Sequence, residues 1–237
     1  MKRNLVMAYF ENGGMLDLHF KEWARYPQDV KDGLRIVITD DCSRRDPAIS
    51  HFVDCGIETQ LYRVNTSIDW NWDGARNLAI REGVGAGEVL LMTDMDHLLA
   101  TQNAESLLSF NIDPRRYYVP ARVKASGEPY RRHPNSWIMT RDLFWKAGGY
   151  CEDFQGLYGK DRAFRRQVDT VARRIETDAV QLILFGREEV PDASTADFGR
   201  KETRWHTAMH PEKRARTYTT HIDRPTDWCR FDWSRLL

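Results

Sequence analysis

The sequence lacks an excess of either charge, a paired set of cysteines and any long apolar run. With 35 basic and 35 acidic residues among 237, the formal net charge is zero. No global field therefore draws the chain onto nucleic acid or anionic lipid, although local patches remain open. The four cysteines, Cys42, Cys55, Cys151 and Cys229, are scattered and show no Cys-x-x-Cys spacing. That excludes a zinc knuckle and gives no sign of a disulfide framework, which points to a reducing compartment. Met1 to Asn4 is a basic start, but the apolar run behind it, Leu5 to Phe10, is too short for a signal peptide or a membrane span. The expectation is the first strand of a cytoplasmic protein with no integral membrane association. Also missing is a glycine-rich basic loop after that strand: Glu11-Asn12-Gly13-Gly14 has the glycines without the cations. This counts against a nucleotidyltransferase, the first alternative function; a non-catalytic carbohydrate-binding protein is the second.

What is present is an alternation of strand-like and helix-like segments, the pattern of an α/β protein with a mostly parallel sheet and flanking helices. After Leu5 to Phe10, apolar spacing predicts a helix over Met15 to Tyr26, closed by Pro27. Strands are expected at Leu34 to Thr39 and Thr59 to Val64, with a helix over Pro47 to Cys55 between them. A helix beginning at Ala75 runs to about Gly83. Downstream, strands are expected within Arg115 to Lys124 and at Ser136 to Thr140, and short helical spacing covers Asp142 to Ala147. A helix is expected over Arg162 to Ile175, with Arg162, Arg166 and Arg173 on its polar side, and an edge strand over Ala179 to Phe185. Ser126 to Pro134 is rich in turn formers, and reads as a surface excursion or a cover over a site.

The stretch Glu88-Val89-Leu90-Leu91-Met92-Thr93-Asp94-Met95-Asp96-His97 is the most informative. A buried strand ends in two carboxylates one residue apart, at the C-terminal strand end where open α/β sheets bind ligands. Extended backbone turns side chains i and i+2 to one side, so Asp94 and Asp96 could form an oxygen site for a hard divalent cation; a solvated turn is the alternative. The second strand also ends in acids, Asp40 and Asp41, which could serve a ligand or cap the following turn and helix.

These elements resemble the successive signatures of GT-A glycosyltransferases, in particular the inverting family 2-like and galactosyltransferase-like enzymes. The resemblance rests on Tyr9-Phe10-Glu11, Thr39-Asp40-Asp41-Cys42-Ser43, Asp73-Gly74-Ala75-Arg76-Asn77 and Thr93-Asp94-Met95-Asp96. It continues in Ala147-Gly148-Gly149-Tyr150-Cys151-Glu152-Asp153-Phe154 and Gly156-Leu157-Tyr158-Gly159-Lys160-Asp161. It covers about residues 5 to 165, and the order of the elements makes it specific. It implies a GT-A, Rossmann-like nucleotide-diphospho-sugar transferase domain over 1–185, with a nucleotide-sugar half to about 100 and an acceptor half from about 101. The implied activity is metal-dependent hexosyl transfer from a nucleoside diphosphate sugar, uridine-linked by family precedent. The acceptor stays open among a glycan, a protein, a small molecule and a modified DNA base.

By the same resemblance Tyr9, Asp40, Asp41, Arg76 and Asp94 line the donor, and Asp94 and Asp96 hold Mn2+ or Mg2+. Arg76 also admits a plain surface ion pair. Asp161 takes the position of the general base, with Glu152 and Asp153 as fallbacks; Lys160 stands where the family has Glu. An N-cap is the alternative role for Asp161. Residues 186–237 are polar and punctuated by Pro191, Pro211 and Pro225, yet hold Trp205, Trp228, Phe231 and Trp233. They are expected to form an extension whose aromatics pack on the domain. Within it His206 and His210, four apart, are candidate metal ligands, with His221 a third; no accompanying Glu makes the pair a zinc-protease motif.

Overall fold

The computed structural model describes residues 2–152, 155, 157–158, 161–195, 203–204 and 228–237, with backbone alone at 157–158, 161–162 and 203–204. Strand β1 (Arg3–Tyr9) leads through α1 (Gly13–Trp23) and α2 (Gln28–Gly33) to β2 (Leu34–Asp40). A 3-10 turn (Ala48–His51) precedes β3 (Glu58–Val64), and α3 (Trp72–Gly83) returns the chain to β4 (Val89–Thr93). These four strands are parallel and lie in the order β3-β2-β1-β4. The chain steps outward on one side of β1 and then crosses to the other, so the switch in strand order falls between β1 and β4. Doubly wound sheets bind ligands at that crevice.

Beyond β4 come β5 (His97–Leu98), α4 (Thr101–Ser109), β6 (Arg116–Lys124), β7 (Pro129–Tyr130), β8 (Trp137–Thr140) and α5 (Arg141–Lys146). They are followed by β9 (Leu157–Tyr158), α6 (Asp161–Asp169), β10 (Arg173–Leu184), β11 (Thr203–Arg204) and β12 (Trp233–Arg235). The sheet continues β4-β8-β6-β10-β5, with β8 antiparallel to β4 and β10 parallel to β6. Alternation along the strands supplies both cores. Leu5, Met7 and Leu91 face α1 and α4, whereas Val6, Leu90 and Met92 face α3, α5 and α6. Among the described residues no helix is long and apolar enough to cross a membrane.

Several expected boundaries differ. The first helix stops at Trp23, short of Tyr26, and Pro27 instead precedes a second helix, its fixed φ suiting a position before a first turn. Pro47 to Cys55 supports only the 3-10 turn. The helix expected over Arg162 to Ile175 stops at Asp169, and Arg173 and Ile175 belong to β10, where β-branched residues recur. The three-arginine face expected of that helix is therefore not formed. The strand expected at Ala179 to Phe185 is the second half of β10 and lies inside the sheet, since β5 covers its outer side.

The C-terminal residues 228–237 lie on the body. β12 pairs antiparallel with β3, Trp233 packs edge-on to Tyr62 at 5.9 Å, and Trp228 to Trp145 at 5.4 Å.

Candidate active site

At the β1/β4 switch point the chain leaves β4 through Asp94, Met95 and Asp96. The two carboxylates have unlike surroundings. Asp94 Oδ1 accepts a bond from Nη2 of Arg76, whose side chain is 1% exposed, and Asp94 Oδ2 lies 3.3 Å from Nε2 of His133. Arg76 rises from the first turns of α3, its guanidinium 4.6 Å from the ring of Trp72 and its Nη1 3.4 Å from the Tyr150 hydroxyl. Burial opposes ionisation of Asp94, but Arg76, His133 and His97 outweigh it and hold the carboxyl below its usual range.

Among the described residues Asp96 meets no arginine at hydrogen-bond distance. Its Oδ1 lies 2.5 Å from Nδ1 of buried His97, off the line of an aligned hydrogen bond. His97 Nε2 in turn accepts from Arg122 Nη1 at 3.0 Å, and the ring lies 4.4 Å from that of His133. His133 is steadied through Nδ1 by Ser136 Oγ at 3.0 Å, itself 2.7 Å from Thr93 Oγ1. Burial pushes the His133 imidazole down to about 4, against the pull of Asp94, so it is neutral near pH 7. Behind the turn, His19 of α1 holds the Met95 carbonyl at 2.8 Å.

The other expected donor-side residues divide. Asp40 accepts from Ser43 N at 2.7 Å, Ala48 N at 3.0 Å and Arg63 Nη1 at 3.0 Å, the bonds of a turn cap. Burial nevertheless raises its pKa. Asp41 is buried, its amide bonded to the Tyr9 carbonyl at 2.8 Å and its Oδ1 accepting from Asn71 Nδ2 at 3.1 Å. Asn71 Oδ1 accepts from Gln155 Nε2 at 2.5 Å, so a chain of polar contacts ties the β2 end to the acceptor half. Gly74 is required here, because a Cβ would lie 2.3 Å from Asn71 Oδ1 and 2.7 Å from Phe231. The Tyr9 hydroxyl points away to donate to the Asp46 carbonyl at 2.6 Å, leaving its backbone to hold Asp41.

Glu152 is buried and accepts from Asn77 Nδ2 at 2.9 Å, Cys229 N at 2.8 Å and Arg230 N at 3.3 Å. In this arrangement it fastens the C-terminal residues. Asp161 opens α6; its side chain, together with Asp153, Trp205, His206, His210 and His221, lies outside the described residues.

The structure thus joins Arg76 to Asp94 directly. It also adds His97, His133, Arg122, Asn71 and Trp72, which sequence reasoning passed over. His97 carried a signal, an imidazole next to the paired acids. His133 sat in a loop whose charges read as solvated, and Arg122 inside a strand.

Among the described residues no three His, Cys, Asp or Glu side chains converge as a closed metal cage. The donor set still fits a hard cation of the magnesium or manganese kind. Such ions take one or two carboxylates and complete their shell with substrate phosphates and water. Asp96 Oδ1 and His97 Nδ1 are buried without an aligned hydrogen bond, and Asp96 keeps 24% of its side chain exposed.

No protein-family model and no curated protein matches the sequence. Solved structures do. S. aureus TarS in complex with UDP-GlcNAc superposes with a TM-score of 0.62 at 14% identity, over 79% of this chain and 59% of that one. The mannosyltransferase PcManGT from Pyrobaculum calidifontis, in complex with GDP-Man and Mn2+, gives 0.58 at 15% identity, over 77% of this chain and 56% of that one. GalNAc-T7 with UDP, GalNAc and Mn2+ gives 0.58 at 13%, over 78% and 44%. The chain thus corresponds to less than two thirds of these proteins' length. The central sheet, its switch point and its flanking helices are those of the GT-A fold found in glycosyltransferases.

Proposed function

We propose that the protein is a hexosyltransferase that moves a sugar from a nucleoside diphosphate sugar, of the uridine type, to an acceptor hydroxyl with inversion. The observation that supports this best is the uneven neutralisation of the paired carboxylates. Asp94 has a buried arginine as counter-ion, while Asp96 meets no arginine or lysine at hydrogen-bond distance among the described residues and lies against His97. A negative charge held open at a switch point calls for a cation, and the bound ligands of the three neighbours are nucleotides or nucleotide sugars, two of them with Mn2+.

In this reading Asp96 holds the cation, and Asp94 with Arg76 fixes the turn that presents it. When bound, a divalent cation stabilises the negative charge that builds on the diphosphate leaving group. Asp41 and Asn71 flank the nucleoside end of the cleft. Asp161, at the first position of α6, would take the acceptor's proton as its oxygen attacks the anomeric carbon. The single displacement has oxocarbenium character, and the protein's part is positioning and charge placement. Residues 186–237 would form an extension packed on the domain. The scattered spacing of the four cysteines, with no Cys-x-x-Cys pair, suits a cytoplasmic location.

The test is nucleoside diphosphate release from a panel of UDP- and GDP-sugars with Mn2+. Wild type should release nucleoside diphosphate and Asp96→Ala should not. Release of pyrophosphate instead would mark a nucleotidyltransferase, and metal-independent sugar binding without turnover a lectin-like protein. Asp161→Asn should bind donor normally and fail to transfer; loss of donor binding would remove Asp161 from the role of base.

A further inference from the structure

We infer that Arg122 is a positioning residue for Asp96, acting through His97; the inference rests on the reading of Asp96 as the cation-holding carboxylate. Arg122 sits in β6, remote in sequence from the paired acids, and is 7% exposed. Its Nε donates to the Arg131 carbonyl at 2.8 Å, its Nη1 donates to His97 Nε2 at 3.0 Å, and its guanidinium lies 4.8 Å from the ring of Tyr130.

A guanidinium has donors and no acceptor, so the nitrogen it faces must present a lone pair. His97 Nε2 therefore accepts from Arg122, which fixes the ring, and the ring's other nitrogen, Nδ1, lies 2.5 Å from Asp96 Oδ1. The ring held in this way limits where the Asp96 carboxylate can turn, whereas Arg76 pairs with Asp94 directly.

The anchor reaches further. Arg122 also fastens the carbonyl of Arg131, two residues before His133, whose Nε2 lies beside Asp94 Oδ2. One arginine thus sets the hairpin that brings in His133 and the ring that aims Asp96. Imidazoles that order a metal-site carboxylate belong to the outer layer whose loss weakens metal binding even though no ligand is removed.

The experiment measures Mn2+ binding in the presence of UDP, from the free-ion electron paramagnetic resonance signal, and UDP binding without metal by calorimetry. Arg122→Gln should weaken Mn2+ binding about 10- to 100-fold, the cost typical of outer-layer changes, and leave metal-free UDP binding within about twofold. His97→Asn should do the same. The double variant should lose no more than the worse single, since both cut one line of contacts. Lys124→Ala, which shares the Tyr130 ring at 5.4 Å, should leave Mn2+ binding unchanged. If Arg122→Gln does not fold, Arg122→Lys takes its place. One ammonium cannot span both acceptors, and a loss of about tenfold is expected. Wild-type Mn2+ affinity in the Arg122 variant, or losses that multiply in the double variant, overturns the inference. Wild-type protein that binds UDP but no Mn2+ overturns the reading of Asp96 itself, and the inference with it.

Discussion

Replacing each paired carboxylate by its amide should separate stability from activity. In Asp94→Asn the shape is kept and the charge is lost, which strands Arg76 inside the protein with only the Tyr150 hydroxyl and the Trp72 face. Breaking a fully buried ion pair costs about 3–5 kcal/mol. Asp94 is 38% exposed at its side chain, so solvent screens part of the attraction, and the new amide oxygen can still accept one bond. The expected loss is about 2 kcal/mol, or about 4–8 °C in Tm for a chain of this size. Among the described residues Asp96 meets no arginine or lysine at hydrogen-bond distance, so Asp96→Asn should leave the Tm within about 2 °C of wild type. Its nucleoside diphosphate release should nevertheless fall about 100-fold or more, the scale seen when a group stabilising transition-state charge is removed. Differential scanning calorimetry and the release assay on the same preparations decide the matter. Equal Tm losses in the two variants, or a wild-type Tm in Asp94→Asn, would refute the uneven neutralisation on which the proposed function stands.

Acid should weaken the fold before the carboxylates titrate. Burial holds His19 at about 4, opposed by its bond to the Met95 carbonyl, and His133 also at about 4. The unfolded chain takes those protons near pH 6.5, so stability is full above that value and falls as pH drops toward 4. The loss between pH 7.5 and pH 5 is about 2 kcal/mol per histidine, and urea midpoints of wild type and His19→Gln at both pH values should show the smaller slope in the variant. Glu152→Ala removes three accepted bonds, two of them from the backbone of Cys229 and Arg230. A loss of about 3 kcal/mol and faster trypsin cleavage near Arg230 are expected; an unchanged Tm with abolished transfer would instead return Glu152 to the chemistry. Gly149 has φ +63°, and a Cβ there would lie 2.7 Å from Trp228 Nε1 and 2.8 Å from the Trp145 ring. Gly149→Ala should therefore cost about 2 kcal/mol or more, read as a shift in the urea midpoint.

The parallel half of the sheet was legible because its strands are short apolar runs bounded by turn residues, and periodicity reports burial directly. Leu34–Asp40 and Val89–Thr93 emerge within a residue of their expected limits. Legibility failed where tertiary partners override local pattern. Arg173 to Ile175 fits a helical stripe, yet it is pulled into β10 by pairing with Arg116 to Tyr118 of β6. His97 and Leu98 are too short to register as a strand by periodicity, and exist as one only because Leu184 and Ile183 stand opposite.

The site repeats that division between local and distant causes. Asp94 and Asp96 were visible because a strand's pleat places i and i+2 together, which is a property of the sequence alone. What distinguishes them was not visible, since it depends on groups 18 residues upstream in α3 and 25 or more downstream in β6 and the following hairpin. Arg122 is a charged residue in an otherwise buried strand, and an arginine placed so costs stability unless its donors are met. Here they are met by a carbonyl and by an imidazole rather than by a carboxylate. A strand placing a buried cation beside the imidazole that abuts an acid is hard to explain by packing alone, because Met would fill the same space at lower desolvation cost. The arrangement makes sense if the acid's remaining charge is reserved for something outside the protein. The same logic explains why His133, which looked like part of a solvated loop, is held neutral against the already neutralised Asp94.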